Sequence, residues 1–172
     1  MNAGSDTMLG RLFPKKIDND YRGSWIALWL LAPVVLLKLA IGFNVGGFNP
    51  YVSNRRVLIS ADGIPLDSFG AEAAQTVVYF GASWGLSMTL LCVLAIIAFI
   101  RYRAMIPLVY LLFAAEQIGR KAMSTHYFPS DGSGAMSIGA MINWGFTGAL
   151  AVGFVLSLVP RRKRAGNTIA SS

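Results

Sequence analysis

Residues 111–121 read LLFAAEQIGRK, an apolar run that passes into a carboxylate, an amide and two cations with no loop or proline between them. Glu116 and Arg120 stand four apart, so on a helix they share a face and can pair. Lys38 is a further charge inside an apolar run, between Trp25 and Phe43. Ionisable groups within lipid are costly; they usually face other helices and pair. A carboxylate flanked by two cations there can exchange a proton or hold an anionic group such as a lipid headgroup. The competing reading is snorkelling. Lys38, Arg120 and Lys121 have long stems and can lift their charges to the outer headgroups. Glu116 is explained least well in that way, because its side chain is shorter.

Other reactive residues lead away from catalysis. Gly81-Ala82-Ser83-Trp84-Gly85 matches the G-x-S-x-G pattern of serine hydrolases. That motif needs a strained strand-to-helix turn and a histidine within reach, whereas here it lies inside an apolar helical run. The only histidine, His126, falls at the far end of the third such run. One histidine also rules out paired imidazole ligation of haem within this chain and the multi-histidine sites of membrane di-iron enzymes. The single cysteine, Cys92, cannot form an internal disulfide or work as a dithiol relay. The sequence therefore predicts no catalytic residues, no metal, no cofactor and no enzyme activity.

The elements that position these residues follow from composition. Of 172 residues 55% are hydrophobic and only 13% charged, against about 25% charged in a soluble domain. Four apolar runs, 25–43, 77–100, 105–123 and 136–159, are each near the ~20 residues a helix needs to cross a bilayer core. The first is too long for a signal h-region and follows 24 polar-rich residues, so it is expected to remain as a span. The predicted fold is an all-α integral membrane protein, four transmembrane helices in an antiparallel bundle.

Orientation follows from where the cations fall. Of the 15 lysines and arginines, ten lie in the N-terminal segment 1–24 (Arg11, Lys15, Lys16, Arg22), the turn 101–104 (Arg101, Arg103) and the tail 160–172 (Arg161, Arg162, Lys163, Arg164). An even-numbered bundle puts all three segments on one side, which the positive-inside rule makes cytoplasmic. Arg55, Arg56, Arg120 and Lys121 lie on or toward the other side. N-in/C-in topology follows, in a membrane of the bacterial inner-membrane type. The same clustering argues against nucleic acid as the reason for the net charge of +7.

In that frame, a rise of about 1.5 Å per residue puts Glu116 about 17 Å, Lys38 about 20 Å and Arg120 about 22 Å from the inner boundary. Ser83 and Asn143, counted from outside at the same rise, lie about 10 Å deep. Lys38, Ser83, Glu116, Arg120 and Asn143 are thus expected at one level, one or more from each span. Small residues four apart, Gly81 and Gly85 on the second span and Gly145, Ala149 and Gly153 on the fourth, predict flat faces for close helix packing.

The extramembrane pieces are short. The outer segment 44–76 contains RVLIS and IPLDSF around Asp62-Gly63, a pattern that can close a hairpin, with Asp67 or Ser68 as N-cap of a second-span helix that starts about two turns above the lipid. A second outer loop, 124–135, carries Pro129, Asp131, Gly132 and Gly134. Before the first span, Met8, Leu9, Leu12 and Phe13 share one helical face beside Arg11, as in a short interfacial helix; a frayed tail is the other reading. Trp25 and Trp29 mark the inner boundary.

The functional expectation is a noncatalytic accessory or assembly subunit. It would act through its small-residue faces and outer loop on a membrane protein partner or a second copy. The alternative is a small transporter or an anion- or proton-binding protein built on Glu116, Lys38 and Arg120.

Overall fold

The structure, a computed structural model, describes residues 8–14, 16–127 and 138–159. The basic tail 160–172 and residues 128–135 of the second outer loop lie outside the described residues. Among the described residues every regular element is helical: α1 (Met8–Leu12), α2 (Trp25–Val45), α3 (Asn54–Asp62), α4 (Ala71–Arg101), α5 (Ile106–Tyr127) and α6 (Ile138–Leu158). Three helices are long and apolar enough to cross a membrane: α2, α4 and, over Met141–Leu158, α6. The chain is thus a small multi-pass membrane protein. α5 has 22 residues, as long as α2 or α6, but Glu116, Arg120 and Lys121 keep it out of that apolar class.

α2 opens on Ser24, whose hydroxyl accepts from the Ile26 amide, the usual way to satisfy a free N–H at a helix start. Its buried positions, Ala27, Leu28, Leu31, Val34, Val35, Lys38, Gly42 and Val45, follow helical spacing and form one stripe. Lys38 is therefore on the inward face by register, among aliphatic residues. The core joins this stripe to Met88, Cys92, Ala95 and Ala98 of α4, to Ile106, Val109, Tyr110 and Phe113 of α5, and to Phe146 and Leu150 of α6.

Pairs of contacts give the relative directions. The Tyr110 hydroxyl donates to the Ala27 carbonyl at 2.6 Å and Lys38 meets Glu116 further along, so α5 runs with α2. Gly42 lies against Met88 and Thr89, and Gly46 against Gly85, so α4 runs the other way. Tyr110 packs on Gly153 and Gln117 on Asn143, which reverses α6 relative to α5. The end of α6 is also tied to the chain's start: the Ser24 amide donates to the Leu156 carbonyl and Arg11 donates to the Leu158 carbonyl at 2.7 Å. Residues 8–14 and 16–24 thus fold against helix ends, with α1 short and Met8, Leu9 and Phe13 exposed.

The expected hairpin does not form. RVLIS lies in α3, and Leu66–Ser68 of IPLDSF is a single 3-10 turn. Ser53 caps α3 by accepting from the Arg56 amide, and Gly63, at φ 67°, ends it with a left-handed residue. An Asp-Gly pair closes hairpins and also ends helices, because both need positive φ. Over five residues, period 2 and period 3.6 are hard to separate. Burial selects the helix: Leu58 packs with Val45, Leu66 and Ala74 in a second small core. Asp67 and Ser68 lie in that 3-10 turn, and the N-cap of α4 is Gly70.

α4 also projects further than two turns. The backbones of Gly85 and Gly46 touch, so the end of α2 is level with Gly85. Residues 71–84 rise beyond it by about 20 Å, with α3 and its turn packed alongside.

Candidate functional site

The charged residues of α2 and α5 meet one another. Lys38, 2% exposed, donates from Nζ to Glu116 Oε2 at 2.8 Å and to Gln117 Oε1 at 3.0 Å. Arg120 donates from Nε to Glu116 Oε1 at 3.1 Å, and from Nη2 to Gln117 Oε1 at 2.9 Å and Asn143 Oδ1 at 3.2 Å. Gln117 in turn donates from Nε2 to the Asn143 side-chain oxygen at 3.1 Å and to its backbone carbonyl at 3.3 Å. Five side chains from three helices form one connected network.

Local helix geometry explains the arrangement. Glu116 and Arg120 are one turn apart on α5, and Gln117 is three residues before Arg120, so both reach its guanidinium. Lys38 arrives from α2 because its stripe faces the core. Asn143 arrives from α6, whose register is fixed by Gly153 under the Tyr110 ring. Aromatic rings line the network: the Lys38 ammonium lies 5.4 Å from the centroid of Phe146 and 5.7 Å from that of Phe113, and the Arg120 guanidinium lies 5.2 Å from that of Trp84. Ring faces attract cations and exclude water, which strengthens the ion pairs of Glu116 with both.

Of the five residues expected at one level, Lys38, Glu116, Arg120 and Asn143 are brought together and Ser83 is not. The Ser83 hydroxyl donates to the Tyr79 carbonyl one turn back. Level is not the reason, since the next residue, Trp84, meets Arg120; consecutive helical residues point about 100° apart, and Ser83 faces another side of α4. The region 81–85 is regular helix, and among the described residues no residue other than glycine has positive φ. The strained elbow that a hydrolase serine needs is not built there.

Gln117 is a central member that the sequence reading did not single out. Its signal was its spacing, one residue after Glu116 and three before Arg120. An uncharged amide in a helix draws little notice, yet among the described residues it is the only group that touches Lys38, Arg120 and Asn143 together.

The small residues divide. A side chain at Gly85 would collide with the backbone of Gly46, one at Gly81 would press on Leu58, and one at Gly153 would overlap Tyr110. Ala149 packs against the core. Gly145 and Gly148 instead have open space where a side chain would stand. Compared with known proteins, the chain matches no family model, no curated protein and no solved structure.

Proposed function

We propose that this chain is a noncatalytic accessory or assembly subunit of a bacterial inner membrane, an antiparallel bundle in which α5 is the fourth span and both ends are cytoplasmic. Its work is to hold a membrane partner or a second copy through the outward face of α6. The observation that carries this reading is the bare backbone at Gly145 and Gly148, with Val152 and Val155 exposed further along the same side. In lipid, small positions admit a neighbouring helix to close range, and association rests on such packing. The network at Lys38, Glu116 and Arg120 supports the reading from the other direction. Its members meet each other across the helices, the arrangement of an internal brace.

Native mass spectrometry of the full chain after mild detergent extraction tests this. The expected spectrum contains a stoichiometric second protein or a dimer that Gly145→Leu disrupts while the monomer keeps its thermal midpoint. A monomer without a protein partner, unchanged by Gly145→Leu, would overturn the assignment.

A further inference from the structure

The network has an outer edge that its own members do not complete. Lys38, Arg120 and Lys121 carry three positive charges, and Glu116 is the one carboxylate bonded to any of them among the described residues. The set therefore holds a surplus of two positive charges. Cationic charge near a membrane boundary draws anionic counter-charge.

The surplus lies outward. Lys38 is enclosed, but the Arg120 side chain is 37% exposed. Its guanidinium is held from inside by Nε and Nη2, which engage Glu116, Gln117 and Asn143, and Trp84 lies against it. Among the described residues Nη1 meets no acceptor. The guanidinium is thus fixed with a donor edge facing out, and so has lost the freedom to snorkel. Next to it in sequence, the Lys121 ammonium is drawn onto the Trp144 ring, 3.4 Å from its centroid, and not extended away along its stem. Both cations are positioned by α6, at the consecutive residues Asn143 and Trp144.

Their level identifies what can reach them. Trp84 adjoins Gly85, which touches Gly46 at the end of α2, so the Arg120 guanidinium lies near the outer end of the α2 span. That is where lipid phosphates lie, and Trp144, half-exposed on the lipid side, has the amphipathic ring that favours the same depth.

We propose that Arg120 and Lys121 form a binding site for a phosphate oxyanion at the outer boundary, with Arg120 as the hydrogen-bonding ligand and Lys121 as the second charge. A planar guanidinium matches phosphate oxygens, and such charge-assisted bonds are among the stronger ones. The phosphate belongs either to an anionic phospholipid of the outer leaflet or to a soluble phosphate, and the two are separable by experiment.

The test uses the full chain, delipidated and returned to phosphatidylcholine nanodiscs with or without phosphatidylglycerol, with bound lipid counted by native mass spectrometry. A parallel sample in detergent without lipid is titrated with inorganic phosphate and followed by its thermal midpoint. One retained phosphatidylglycerol, weakened about tenfold in Arg120→Gln and in Lys121→Gln, establishes the lipid source. A phosphate-dependent rise in midpoint that Lys121→Gln removes, without lipid retention, establishes the soluble source. Arg120→Gln also disturbs the network, so Lys121→Gln, which leaves every bond of the network intact, keeps the test valid if the first variant does not fold. Neither ligand binding, or binding that Lys121→Gln leaves unchanged, overturns the site.

Discussion

Glu116 sits between two cations and accepts from both, so its charge stabilises Lys38 and Arg120 at once. It is 21% exposed, against 3% for the Lys38 side chain, so the lysine has less recourse to solvent if the carboxylate is lost. Glu116→Gln preserves volume and removes the negative charge; leaving a buried cation uncompensated typically costs roughly 3 kcal/mol or more. Lys38→Met should cost less, because Glu116 keeps Arg120. The double variant is the diagnostic. Direct contact predicts that it is less harmful than the two losses added together, with a coupling of roughly 0.5 to 3 kcal/mol. Additive losses in a thermal or denaturant assay would mean that the 2.8 Å pair contributes little. Most members of this cluster were legible in the sequence because charges inside apolar runs have few explanations. Gln117 was not, since an amide has no comparable cost and its role depends on which helix it meets. Ser83 stays apart because depth along a helix does not give direction: it stands next to Trp84, which meets Arg120, but faces another side of α4.

Helices show a similar division between what spacing reveals and what packing decides. The α2 stripe and the helical runs of α4 and α6 are readable from apolarity and length. The segment 44–76 was not, because its turn signals suit a hairpin and a helix end equally, and only the burial of Leu58 beside Gly81 selects α3. The glycines illustrate the same limit. Gly81, Gly85 and Gly145 read alike, yet the first two lie under α3 and α2 while the third faces outward. Gly85→Leu must separate the backbones of α4 and α2, so it should lower the thermal midpoint in detergent and cost at least the roughly 1 to 3 kcal/mol typical of overpacking. Leu94→Ile, at an exposed site of the same helix, should change little. A midpoint for Gly85→Leu equal to that of Leu94→Ile would remove Gly85 from the interface.

At the scale of the whole molecule, whether α5 crosses the bilayer decides the parity of the chain. With α2, α4 and α6 as the only spans, the two ends of the chain would lie on opposite sides. With α5 as a fourth, they lie on the same side. Two observations favour the even count. Arg11 and Ser24 bond to Leu158 and Leu156, which places the end of α6 beside the start of α2. The cations also divide ten to four, with Lys38 left out, between the segments that a four-span chain assigns to the inside and to the outside. The charges that lower the apolarity of α5 are compatible with a span because Glu116, Gln117 and Arg120 face α2 and α6, where they are paired. Reporter fusions after Ser172 and at Gly63, just after α3, should therefore give opposite signals, with Ser172 cytoplasmic. A fusion ahead of α1 should agree with the one at Ser172. Agreement between Ser172 and Gly63 would mean that α5 lies along the membrane surface, and the pairing of Lys38 with Glu116 would then have to be rebuilt outside the bundle.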